Sequence, residues 1–214
     1  AADISHHNLL RSVGDHMACL SLPLRVQCTL RNSLDTLPKL CNYLVPYENM
    51  PFMITSSTSS FKAALLGNPS APPTRIPTCP ELRQAIVTPY NFAQSCDPRH
   101  GRYLTSLEIF QGSHIGQREV LEQMFNIGSR NSSYYVEWIP NNTKYVLHSS
   151  PLPGQYSAAS IGLSTAFQYS LQSIIKEGGV EGGEEVERIR ELIDRYQWMQ
   201  DATADDDEEV YEDV

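Results

Sequence analysis

A chain of 214 residues, 41% of them hydrophobic, can bury a substantial core as one sizeable domain or two small ones, and it reads as globular rather than disordered. Its formal net charge of −9 argues against a nucleic-acid binder that relies on phosphate attraction. Five scattered cysteines, Cys19, Cys28, Cys41, Cys79 and Cys96, include no Cys-x-x-Cys pair, so neither a disulfide framework nor a zinc knuckle is indicated and a reducing cytosol fits best. No apolar run is long enough to span a bilayer.

The spacing of Leu9, Leu10, Val13, Met17 and Leu20 predicts a helix over 3–22, capped by Asp3 or Ser5 and ended by Pro23. Gly14 costs it about 1 kcal/mol relative to Ala. The chain opens on Ala1-Ala2-Asp3, without Met, already inside that helix, which points to a fragment. His6, His7 and His16 lie on it, but no carboxylate or Cys completes a ligand set, so solvated or packed histidines are the simpler reading. Residues 27–46 read as a loop and a short helix, which Pro38 confines to 37–44. A strand over 52–55 precedes a long polar stretch, 56–78, rich in Ser, Pro and Ala; a loop of that length is usually functional or disordered. Lys62 and Arg75 are its only charges, so a phosphate site there is weakly supported against a solvated loop.

Thr78-Cys79-Pro80-Glu81 is a capping box, and its helix reaches Val87 before Pro89 stops it. A turn over 97–101 leads to a strand over 103–110. An amphipathic helix over 117–127 should turn Val120, Leu121, Met124, Phe125 and Ile127 inward, with Gly128 as its stop. Residues 134–148 read YYVEWIPNNTKYVLH. The two-residue period predicts a strand over 134–139, with Tyr134, Val136 and Trp138 on one side and Tyr135, Glu137 and Ile139 on the other. Pro140 ends it, Asn141 and Asn142 turn, and an apolar run resumes at 144–147. A small-residue strand over 157–161 is followed by a helix over 164–177 carrying Phe167, Leu171, Ile174 and Ile175 on its face. The glycines of 178–183 form a flexible hinge. The last helix, 184–198, has the stripe Val186, Ile189, Ile193 and Tyr196, with Glu184/Arg188 and Glu191/Arg195 as supporting pairs. Seven acids and no base make 205–214 a solvated tail. Strands alternating with amphipathic helices predict an α/β sheet domain covered by helices.

No phosphate-binding Gly-rich loop, nucleophile elbow or His-Glu-x-x-His helix is present. Glu181, Glu184, Glu185 and Glu187 flank the glycine hinge and read as a charged surface rather than an acid/base pair. Cys96, Asp97 and His100 are close in sequence, but nothing marks the positioned base and oxyanion donors that a cysteine hydrolase needs. Arg99, His100 and Arg102 form a small basic spot, more simply a turn held by Asp97.

The literal strings add a second kind of information. RNSSYYVEWIPNN at 130–142 and DPRHGRYLT at 97–105 resemble the tubulin family, in its beta branch. So do PEL at 80–82, Glu119-Val120 with Glu122-Gln123-Met124, Ile161-Gly162 with Ser164-Thr165-Ala166, and YQWMQDATAD at 196–205. Their order is the family order, and the likeness covers nearly the whole chain, most closely over 97–142 and at the end. It implies the second half of a tubulin: the end of the long core helix at 1–23, an intermediate-type mixed sheet flanked by helices over 24–165, C-terminal helices at 166–204 and an acidic disordered tail at 205–214. It also implies a structural constituent of microtubules that pairs with alpha-tubulin in GTP-dependent polymerisation, located in the cytoplasm and cytoskeleton. Microtubule-associated proteins and motors would meet the last helix and tail.

The family's glycine-rich phosphate loop belongs to the first half, so the resemblance implies that this chain alone neither binds nor hydrolyses GTP, although the family does both. Asn8 is the candidate for the family's guanine contact, in competition with Ser5 and His7. Residues 27–39 would make longitudinal contacts, with Lys39 near the point where alpha-type chains carry a hydrolytic acid. Residues 60–78 would make lateral contacts. Three departures stand out: altered wording around 23–35 with Pro38 intruding, prolines in the lateral loop, and a glycine hinge in place of the aromatic, basic stretch between the last helices. They raise the alternatives of a non-polymerising half-tubulin that binds tubulin or its chaperones, or a partial gene product.

Overall fold

The computed structural model describes residues 6–21, 37–45, 50, 52–59, 76–94, 96–130, 132–148, 156–178 and 183–202. Among these, ten regular elements follow in order: α1 (His6–Leu20), α2 (Leu37–Leu44), β1 (Ile54–Ser59), α3 (Cys79–Ile86), β2 (Tyr103–Gln111), α4 (Gln117–Arg130), β3 (Thr143–His148), β4 (Ser157–Ser164), α5 (Phe167–Gly178) and α6 (Glu184–Asp201). The strands form one mixed sheet in the order β1-β4-β2-β3. β4 is antiparallel to both β1 and β2, whereas β2 and β3 are parallel, with α4 supplying the crossover that parallel neighbours require. The expected helix-flanked mixed sheet is thus what the chain forms.

β2 is the centre. All its residues except the two ends are buried, because it is paired on both edges and covered on both faces. Leu107 and Ile109 face α1 and α2 with Val146 and Ala159. Phe110 packs on the other face with Cys79, Leu82 and Ile86 of α3 and Val120 of α4. Leu104, at the start of the strand, joins Met50, Val136, Leu163, Leu171, Tyr196 and Met199, the cluster that fastens α5 and α6. The α3 capping box forms as its sequence requires, with the Thr78 amide donating to Glu81 at 2.9 Å.

Thr165 ties the sheet to the last helix. Its amide donates to the Arg102 carbonyl at 2.9 Å, its hydroxyl accepts from the Arg102 amide at 2.9 Å, and the same hydroxyl donates to Gln200 at 2.8 Å. At the opposite side, Gln94 covers β1: its carbonyl accepts from the Thr55 amide at 2.9 Å, and the Ala93 amide donates to Thr55 O at 2.9 Å.

Several expectations need correction. Residues 134–139 are not a strand: a 3-10 turn, Ser132–Tyr134, leads to a single parallel bridge from Tyr135 to Tyr103. Tyr135 and Val136 are both buried, so the side chains do not alternate, and Asn141 at φ 53° turns the chain into β3, which begins only at Thr143. The helix at 117 runs through Gly128 to Arg130, and Leu121 and Phe125 face outward while Val120 and Ile127 are buried. Ile174 of α5 is also exposed. β1 occupies 54–59 rather than 52–55, taking in serines expected to lie in the loop. The caps at Asp3 and Ser5, Pro23, residues 60–75, the hinge residues 179–182 and the tail from 203 lie outside the described residues.

Gly101 sits where the Arg102 turn presses on β4. A Cβ there would meet the Ala166 nitrogen at 2.3 Å and Thr165 Oγ1 at 2.7 Å. Backbone cannot yield as a flexible side chain can, so Gly101→Ala is expected to cost about 1–3 kcal/mol, read as a lower urea midpoint with an unchanged slope.

Candidate functional site

α1 is attached by its polar side. His16 Nδ1 lies 2.6 Å from Ser57 Oγ and its Nε2 3.0 Å from Thr55 Oγ1, which pins the helix across β1. Cys19 and Leu20 reach the cluster beneath. Three residues of the predicted apolar face are consequently turned outward: Leu10 is 72% exposed, Val13 49% and Met17 64%. Positions 10, 13 and 17 lie along one side of a helix, so they form a continuous apolar strip rather than scattered residues. α5 and α6 form the layer at the far end. Val186, Tyr196 and Met199 face inward, whereas Glu184, Glu185, Glu187, Glu191 and Trp198 are exposed.

A cleft of about 260 Å³ opens between α3 and β2, lined by Arg83, Ile86, Val87, Phe92, Tyr103 and Glu108 among others. Glu108 is buried, and Arg83 Nε stands 3.4 Å from its Oε1. That contact is long for a hydrogen bond; among the described residues neither Arg83 Nε nor Glu108 Oε2 has a hydrogen-bond partner. Burial pushes the Glu108 carboxyl up from its ordinary range, and the Arg83 guanidinium only partly opposes this. The Tyr135 hydroxyl is 3.0 Å from Ser106 Oγ, and burial drives both Tyr103 and Tyr135 upward.

The residues singled out in the sequence fall into three groups. Asn8 lies on α1, but its side chain and those of His6 and His7 are not among those described. Lys39 is exposed in the first turn of α2; residues 27–36 lie outside the described residues, as do Lys62 and Arg75 of the lateral loop. Cys96, Asp97 and His100 are engaged separately. Burial raises the Cys96 thiol, the wrong direction for a nucleophile. Asp97 caps the turn Pro98–His100 and grips Arg99, whose guanidinium holds its carboxyl at about 2. The His100 ring meets Tyr169 edge-on at 6.0 Å. Of the basic spot, Arg99 is therefore neutralised by its own turn. Among the described residues no group of three His, Cys, Asp or Glu side chains could hold a metal. The buried pair Arg83–Glu108 escaped the sequence reading, although a glutamate inside the apolar run Leu104–Phe110 was a usable signal: a buried carboxylate demands a cation.

What the fold defines is an α/β class of domain, a four-stranded mixed sheet flanked by helices. The tubulin C-terminal domain family matches residues 66–175, more than half of the chain, and the chain belongs to that family. Membership carries a tubulin-type structural role, a cytoskeletal setting and tubulin subunits as partners.

The Glu108 shift fixes a pH dependence. A carboxyl raised by folding favours the protonated state, so its contribution is fullest below the unfolded value of about 4.3 and is lost as pH rises through the folded value. The stability of the native chain minus that of Glu108→Gln should therefore fall as pH rises from about 4.3, whatever constant offset the altered Arg83 contact adds. Denaturant unfolding of both proteins across that interval measures it.

Proposed function

We propose that this chain is the C-terminal portion of a beta-type tubulin subunit that pairs with an alpha-type partner in GTP-dependent polymerisation. The observation that carries the reading is the outward strip Leu10, Val13 and Met17 on a helix fixed to the sheet by its other side. Such a helix is shaped to be shared, with one face on this domain and one on another, as a core helix between two halves of a subunit would be. The beta-type strings at 97–105 and 130–142 supply the branch.

On this reading GTP is held mainly by the amino-terminal half of the subunit, with Asn8 of α1 directed to the guanine. Residues 27–39 serve the longitudinal contact, residues 60–78 the lateral one, and α6 with the acidic tail the associated proteins and motors. The exposed glutamates of α6 would attract basic partners in a salt-dependent way.

Co-expression of the chain with the amino-terminal half of a beta-type tubulin tests this. A soluble complex that co-sediments with microtubules is expected. Leu10→Glu with Met17→Glu should abolish the complex while changing the chain's own stability by no more than about 0.5 kcal/mol per site, since both side chains are exposed. A complex that forms but stays in the supernatant would instead favour a non-polymerising half-tubulin. No complex at all would remove both readings.

A further inference from the structure

The turn that carries Arg102 and the end of α6 are tied at one buried point. The Thr165 hydroxyl accepts from the Arg102 amide at 2.9 Å and donates to Gln200 Oε1 at 2.8 Å. Gln168 Nε2 donates to the same Gln200 oxygen at 3.2 Å, so the last turn of α6 cannot leave the Arg102 turn without breaking both bonds. The helix ends at Asp201, and Ala202 is already extended at φ −58° and ψ 139°. Asp205 is the third residue beyond Ala202 and opens the acidic run Asp205-Asp206-Asp207-Glu208-Glu209. Three residues span at most about 11 Å, little more than the roughly 8 Å over which exposed charges act at physiological salt. Arg99, His100 and Arg102 are all exposed on the turn. Asp97 already holds Arg99, whereas among the described residues no carboxylate is paired with Arg102. Asp201, the acid nearest in sequence to Gln200, accepts instead from Gln197 Nε2 at 2.6 Å.

We propose that the surface around Arg102 is a docking site for the chain's own acidic run, residues 205–209, forming an intramolecular latch that occupies acids otherwise open to basic partners. Charge complementarity and the short tether select this occupant. The tether holds the acids at an effective concentration in the millimolar range. Each exposed ion pair is weak on its own, so the latch is sensitive to salt. It also yields to a polybasic competitor, which neutralises several of the acids at once. The latch itself stands on the Arg102–Thr165–Gln200 geometry; only its consequence for partners rests on the reading above, in which the tail serves associated proteins.

Carbodiimide coupling of the full chain tests the latch. Arg102→Lys keeps the charge, leaves the backbone bonds to Thr165 in place and supplies an amine that couples only to a carboxylate in contact with it. Peptide mass spectrometry should find that amine joined to the 205–209 segment at low salt, with the yield falling at least about fivefold in about 0.5 M sodium chloride. Arg118→Lys, on α4 beyond the far end of the nine-residue strand β2 and so about 30 Å away, should give no such product. Arg195→Lys tests whether the acids fold back on α6 instead. A second measurement reads the competition: Arg102→Gln should bind oligolysine at least about threefold more tightly than Arg118→Gln, which changes the net charge equally. No tail product with Arg102→Lys, or as much with Arg118→Lys or Arg195→Lys, would overturn the latch. Equal oligolysine affinities for the two glutamine variants would overturn its competition with partners. Oligolysine that binds neither variant would count against the tail as a partner site and leave the coupling result to decide the latch.

Discussion

Every layer of this molecule depends on β2 being enclosed on four sides. Its edges are taken by β4 and β3, one face by α1 and α2, and the other by α3 and α4. A strand so placed gains apolar burial on both faces, but it tolerates no uncompensated polar group. Glu108 is the exception, and Arg83 of α3 is its only charged counterpart among the described residues. The same enclosure that stabilises the sheet therefore closes a charged pair away from water within it. The cleft is the space left where helix and strand accommodate that pair.

Much of this architecture is written in local signals. The capping box at Thr78 and the prolines of α2 and α3 each specify an element by a single mechanism, and those elements appear where it places them, whereas the small-residue strand expected over 157–161 runs on to Ser164 and delays the start of α5 from 164 to Phe167. The stripe of α6 is likewise read correctly, because Ile189, Ile193 and Tyr196 have a sheet-side cluster to meet. Periodicity misleads where burial is decided by something other than the element's own pattern. Residues 134–139 alternate on paper, yet Tyr135 and Val136 are both drawn inward, Tyr135 by its bridge to Tyr103 and its contact with Ser106, and Val136 by its amide's bond to the Tyr103 carbonyl. In α1 and α4 the apolar residues mark a face, but periodicity cannot say whether that face meets this domain or another. Leu10 and Met17 of α1 are turned to the outside, whereas Val120 and Ile127 of α4 are buried.

The interaction surfaces were partly legible and the cleft was not. Long literal strings identify the family, because such strings encode surface as well as core. The cleft instead depends on two residues 25 positions apart that only the packing of α3 on β2 brings together. A charged residue in an apolar strand announces that a partner exists; it does not say which of 16 basic residues answers. The pairing of Asp97 with Arg99, by contrast, agrees with the local reading of a turn held by Asp97.

The treatment of β1 bears on how copies of such a domain can join. This strand, ITSSTS, ends the sheet, and an uncovered terminal strand invites another chain to extend it. Here the backbone of Thr55 is already occupied by Ala93 and Gln94, and α1 lies across the hydroxyls of Thr55 and Ser57. Growth by adding strand to strand is thereby discouraged on that side. A strand added there would first have to displace Gln94 and Ala93 from the Thr55 backbone, so at this margin the sheet is closed to cross-β growth.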